Sequence, residues 1–193
     1  MIAQILLISM QFVDTVMAGH VSARDLAALG IATALVHPLL LLMVGVLMAV
    51  TPMVAQLKGS QKDDRISKVV ADALQLSLVF ALPLILLLHL LEPLMEFIGY
   101  PEEVSRIGDG YLQAVAWGVP AMLAYDVFRH FNEGVALTRP NMYFHIVGLM
   151  LNILGNYTLM FGHFGFPAMG AVGAGWSTAV SYTHLRAHET QYH

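Results

Sequence analysis

Residues 26–57 read LAALGIATALVHPLLLLMVGVLMAVTPMVAQL and hold no Asp, Glu, Lys or Arg. A helix needs about 20 mostly apolar residues to cross a bilayer, so this run predicts one crossing. Residues 140–185 are equally free of those four residue types. That stretch is long enough for two crossings, parted by the Gly/Pro-rich break around 162–170. The rest of the chain agrees: 58% of it is hydrophobic and 11% charged, against about 25% charged in soluble domains.

Working outward, the apolar pattern predicts helices over 1–18, about 30–57, 68–91, 110–134 and 141–161, with a sixth beginning near 170. The fold class is therefore all-α, a polytopic transmembrane bundle whose short connections favour antiparallel neighbours. Segment 58–68 carries Lys58, Lys62, Arg65 and Lys68, whereas 92–109 carries five acidic residues and only Arg106. Lys and Arg mark cytoplasmic loops, which places 58–68 and the N-terminus inside and 92–109 outside. Arg129 and Arg139 then fall inside, and Arg24 is a mild exception outside.

Several function classes drop out. A net charge of −4 without a basic, aromatic-rich cluster gives no support to nucleic-acid binding. With no cysteine, neither disulfides nor thiolate metal sites can form. There is no nucleophile–base pair, P-loop or zinc motif, and the glycine run 170–175 lacks the strand and spacing of a dinucleotide loop; an enzyme is not expected. The N-terminus has no basic leader, and the first helix reads as clipped. Pro38, Pro52, Pro83 and Pro120 should bend their helices, either as irregular packing or as bends that open a cavity.

The end of the chain stands apart. From Val180 the sequence VSYTHLRAHET loses its apolar character. It matches a translation of the transposon-end adapter used to fragment DNA for sequencing. Residues 180–193 are accordingly expected to be foreign, residues 1–179 to form the native unit, and the His184/His188 spacing to carry no metal.

Polar groups inside the apolar segments are the functional candidates. Asp14 lies within the first segment, where a carboxylate costs roughly 2.5–3.5 kcal/mol on translocon scales. Gln4, Gln11, Asp14 and Thr15 share one stripe of that helix, opposite an apolar face. The group either holds and releases a cation or serves as a hydrogen-bonded structural acid. In the fifth segment Asn152 and Asn156, one turn apart, can ligate a cation through oxygen or act as interhelical glue, with Gly148 and Gly155 allowing close approach. Tyr125, Asp126, Arg129, Asn132 and Glu133 cluster near the cytoplasmic end of the fourth segment, as local ion pairs or as a gate. Asp72 reads as solvated.

Four runs carry a family resemblance: DTVMAGHVSARDLAALGIA (14–32), TPMVAQLKGSQK (51–62), FNEGVALTRPNMY (131–143) and GAVGAGWSTA (170–179). Together they resemble the multidrug and toxic compound extrusion (MATE) family, in its bacterial NorM-like branch. The resemblance implies a twelve-helix, two-lobe transporter of the bacterial inner membrane, of which this chain supplies about five and a half helices, the N-terminal lobe. It implies efflux of organic cations and other amphipathic drugs in exchange for protons or sodium ions, with no cofactor and with the missing C-terminal lobe as partner. The fragment alone is expected to be inactive. The resemblance gives Asp14, Asn152 and Asn156 the cation-coupling role, with sodium possible at Asp14. Glu133-Gly134 and Thr138-Arg139-Pro140 match its loop motif. Gln11, Thr15, Tyr125, Asn132 and Glu133 are candidates for the cavity or gate. Alternatives are a lipid-linked oligosaccharide flippase of the same superfamily, disfavoured because the basic residues sit in loops, and a non-transporting membrane component.

Overall fold

The computed structural model describes residues 2–189, with side chains placed for all of these except 2–7, 92, 138–141 and 185–189. Gln4, Thr138, Arg139, Pro140 and His188 therefore lie outside the described side chains. Among the described residues every regular element is helical, as the apolar runs predict. The first, α1 (Ile2–Val21), leads directly into α2 (Ala23–Leu47), and α3 (Val50–Gly59) continues the same rod. A short 3-10 turn, Asp63–Arg65, precedes α4 (Ile66–His89). Then come α5 (Leu91–Ile98), α6 (Glu102–Gly134), α7 (Thr138–Leu159) and α8 (Ala171–Glu189).

Three boundaries differ from the sequence expectation. The second helix begins at Ala23, not near 30, because Ser22 caps it: its Oγ accepts the Asp25 N–H at 3.0 Å and donates to Asp25 Oδ2 at 2.6 Å. The acidic segment 92–109 is not a plain loop. It forms α5, closed by left-handed Gly99, and the first two turns of α6, where Pro101 precedes Glu102 and Glu103. Acidic side chains at a helix start complement its dipole. The last helix, α8, keeps its helical backbone through Glu189, beyond the point at which the apolar pattern fades.

Residues 23–59 and 63–89 are each long and apolar enough to cross a membrane. The first of these rods is jointed at Met48–Ala49. Pro52 has no N–H for the Met48 carbonyl, and the bonds Ala49 N–Val46 O and Thr51 N–Met48 O tighten to i→i−3, both at 3.2 Å. Pro38, Pro83 and Pro120 stay inside continuous helices.

At the centre lies α6, packed against α8, α4, α2 and α3, while α7 lies against α1 and α8. Small residues make these approaches possible. A Cβ added to Gly118 would stand 2.8 Å from Ala179 Cβ, and one on Gly175 would stand 2.9 Å from Ala114 Cβ. At the end of the lobe where α2 and α8 begin, buried Asp25 Oδ1 accepts the N–H of Ala171 at 2.7 Å. One carboxylate thus ties the starts of two helices. Gly170 (φ +57°) makes the turn beneath it, where any side chain would run into Asp25.

A buried carboxylate and two carboxamides

The α1 stripe of Gln11, Asp14, Thr15 and Ala18 follows i, i+3, i+4, i+7 spacing, with Asp14 and Ala18 turned into the lobe and Gln11 and Thr15 exposed along the wall of an open cavity. Asp14 is 8% exposed and Ala18 fully buried. From α7, Asn152 and Asn156 point at the same place, both at 0% exposure. The three candidates for cation coupling meet. Asn156 Nδ2 donates to Asp14 Oδ1 at 2.6 Å and to Asn152 Oδ1 at 3.3 Å. Asn152 Nδ2 donates in turn to Thr178 Oγ1 on α8 at 3.4 Å, and the Ser177 hydroxyl donates to the Asn152 carbonyl at 2.9 Å.

One acceptor in this network has no donor. Asn156 Oδ1 is buried without a partner, an arrangement that is rare for a buried polar atom. A carboxylate from α1, two carboxamides from α7 and a hydroxyl from α8 thus meet in one buried network, with the Asn156 N–H facing the carboxylate. Its oxygens are of the kind that suit a proton or a hard cation. No group of three or more His, Cys, Asp or Glu able to hold a metal ion occurs among the described residues.

Asp14 borders a cavity of about 290 Å³, which Gln11, Thr15, Thr33, His37, Tyr111 and Thr178 help to line. Gln11 Nε2 and His37 Nε2 are 2.8 Å apart, and the Thr15 hydroxyl donates to the Gln11 carbonyl at 2.9 Å. His37 and Thr178 were not expected from the sequence. A titratable ring just before Pro38 in a charge-free run was the available signal for His37. Thr178 was hidden in a glycine-rich run that reads as packing.

Tyr125, Asn132 and Glu133 do not join Asp14. Tyr125 is buried, its hydroxyl 3.1 Å from His145 Nδ1, and it lines a neighbouring cavity of about 510 Å³ together with Asp126, Arg129, Gln11 and His37. Asn132 is buried in the last turns of α6. Glu133 faces Arg129 Nε at 3.9 Å and His130 Nδ1 at 3.2 Å, and Arg129 Nε lies 3.5 Å from Asp126. Buried His130 also receives a bond from α3, the Thr51 hydroxyl donating to its carbonyl at 3.1 Å. This second cluster joins α3 to α6 at the opposite end from the Asp25 tie. Tyr182 on α8 borders both cavities.

Residues 1–158 match the family described as MatE. The chain is 42% identical over 182 residues to the multidrug resistance protein NorM of Photobacterium profundum, covering 94% of this chain and 40% of that protein. With the multidrug resistance protein NorM of Vibrio cholerae the identity is 40% over the same shares. Among solved structures, a MOP superfamily transporter from Pyrococcus furiosus superposes with a TM-score of 0.88 at 18% identity, over 99% of this chain and 42% of that one. A eukaryotic MATE transporter gives 0.89 at 18%, over 97% and 41%. The structural likenesses speak for the fold. The chain spans about two fifths of the length of these relatives.

Proposed function

Because the chain belongs to the MatE family of multidrug efflux transporters, we propose that it supplies the N-terminal lobe of a cation-coupled drug antiporter, with Asp14 as the coupling acid. The observation that carries this reading is the pairing of Asp14 with Asn156, whose own carbonyl oxygen is buried and unpartnered. A proton on Asp14, or a sodium ion shared by Asp14 and the Asn156 and Asn152 oxygens, would complete that network. Either one neutralises the carboxylate and weakens its hold on the Asn156 amide.

Such a change loosens α1 from α7 and removes a negative charge from the cavity wall. An organic cation resting against Met10, Leu40, Tyr111 and Met122, which line that cavity, is then held less tightly. Linkage runs both ways, so a drug entering the cavity favours release of the ion. The intact transporter would sit in the bacterial inner membrane with the 58–68 hairpin and the N-terminus in the cytoplasm, as the distribution of Lys and Arg supports. A second lobe completes the drug cavity. The flippase reading has less support, since neither Lys nor Arg lines the cavity at Asp14 and a pyrophosphate would call for them.

The test is ion-driven ethidium efflux from proteoliposomes holding the full-length protein. Asp14→Asn should abolish gradient-driven efflux with expression unchanged. Wild-type efflux from that variant would overturn the assignment.

A further inference from the structure

We propose that the groove between α3 and α4 binds the headgroup of an anionic phospholipid, of the phosphatidylglycerol type. This site is distinct from the Asp14 cavity and stands whether or not the coupling role of Asp14 holds. The groove has a volume of about 660 Å³. Lys62, Arg65 and Lys68 line it, from the hairpin turn and the first turn of α4.

These three cations are exposed, and none forms an ion pair among the described residues. The fourth cation of the hairpin behaves differently: Lys58 Nζ is held by Asp63 at 2.8 Å, and both residues line a separate pocket on the α6 side. Of the hairpin's two acids, Asp63 is paired with Lys58 and Asp64 does not line the groove, which leaves the other three cations to it.

The groove wall is not uniformly basic. Met53 and Val69 give it an apolar part suited to the glycerol backbone and first acyl carbons. Asp72 and Gln56 stand in the same wall. A carboxylate and an amide carbonyl accept hydrogen bonds from hydroxyl groups, and a glycerol headgroup extends two alcohol hydroxyls beyond its phosphate toward such acceptors. Both lining helices belong to segments of membrane-crossing length and apolarity, 23–59 and 63–89, and the groove lies where these two rods meet the hairpin. Basic pockets between helices at that depth suit anionic headgroups. The charge, the apolar wall and the placement together favour a lipid over a soluble anion.

The experiment uses the full-length protein in nanodiscs of phosphatidylcholine doped with phosphatidylglycerol, with retained lipid counted by native mass spectrometry. Wild type should retain phosphatidylglycerol in preference to phosphatidylcholine. Lys62→Gln, Arg65→Gln and Lys68→Gln should each weaken that retention by about fivefold, while Lys58→Gln should leave it unchanged. Asp72→Asn should narrow the preference for phosphatidylglycerol over phosphatidic acid. Retention of phosphatidylglycerol by the triple Gln variant at the wild-type level would overturn the proposal. So would displacement of the lipid by millimolar inorganic phosphate, which would mark a site for free anions.

Discussion

The Asn156 amide reaches the Asp14 carboxylate over 2.6 Å, although 142 positions separate the two residues in the chain. This bond ties α1 to α7, so its removal should be felt by both helices. Asn156→Ala leaves Asp14 without its nearest donor. Hydrogen bonds to charged groups contribute about 1.5–3 kcal/mol, and a loss of that order is expected in detergent unfolding, together with loss of ion-driven efflux. Unchanged values in both measurements would remove Asn156 from the site.

Asp25 bonds Ser22 and the Ala171 N–H at once. Asp25→Ala should destabilise the lobe by about 1–2 kcal/mol, the range for losing a helix cap. Asp25→Asn keeps one acceptor oxygen and should fall between that variant and wild type. Melting curves of the three proteins in one detergent check the order.

Close approach of α3 and α6 depends on Gly134. An added Cβ would stand 2.8 Å from Val54 Cβ and 2.9 Å from the Thr51 carbonyl. Gly134→Ala should therefore cost about 1–3 kcal/mol by overpacking. Gly45→Ala meets nothing within 4 Å and should be neutral or stabilising, since alanine favours helix over glycine. Comparing the two melting temperatures separates the clash from helix propensity.

Asp109 lies near the start of α6, outside the membrane-crossing part, and accepts a 2.6 Å bond from Gln113. Burial pushes its carboxyl above the ordinary 3.8, opposed by that bond and by the charge of His89. The folded chain then holds this proton more tightly than the unfolded chain, so its contribution to stability falls as pH rises from 3.8 through the raised value. Asp109→Asn should flatten that fall in a pH series of melting temperatures.

The sequence made the helical class legible because charge-free runs of bilayer length leave few alternatives. It was less clear at helix starts. Arg24 and Asp25 look like loop charges until Ser22 is seen to cap α2, and Glu102 and Glu103 look like loop acids although they open α6. In the site, Asp14, Asn152 and Asn156 stand out because polar groups are costly in apolar helices, and they do meet. Tyr125 and Glu133 are just as polar but face a different cavity and cluster, and Asn132 is buried in the last turns of α6. Helical spacing fixes which side of α6 they occupy, not which neighbour covers that side. His37 and Thr178 come from α2 and α8, and only the packing of those helices around α1 brings them to Asp14.

The joint at Met48–Ala49 gives the rod of residues 23–59 a wrist. Above it, α2 is buckled to α8 through Asp25; below it, α3 is fastened to α6 through Thr51 and His130. The two halves of the rod are thus fastened to different helices, and the place between them is where Pro52 has already thinned the backbone bonding.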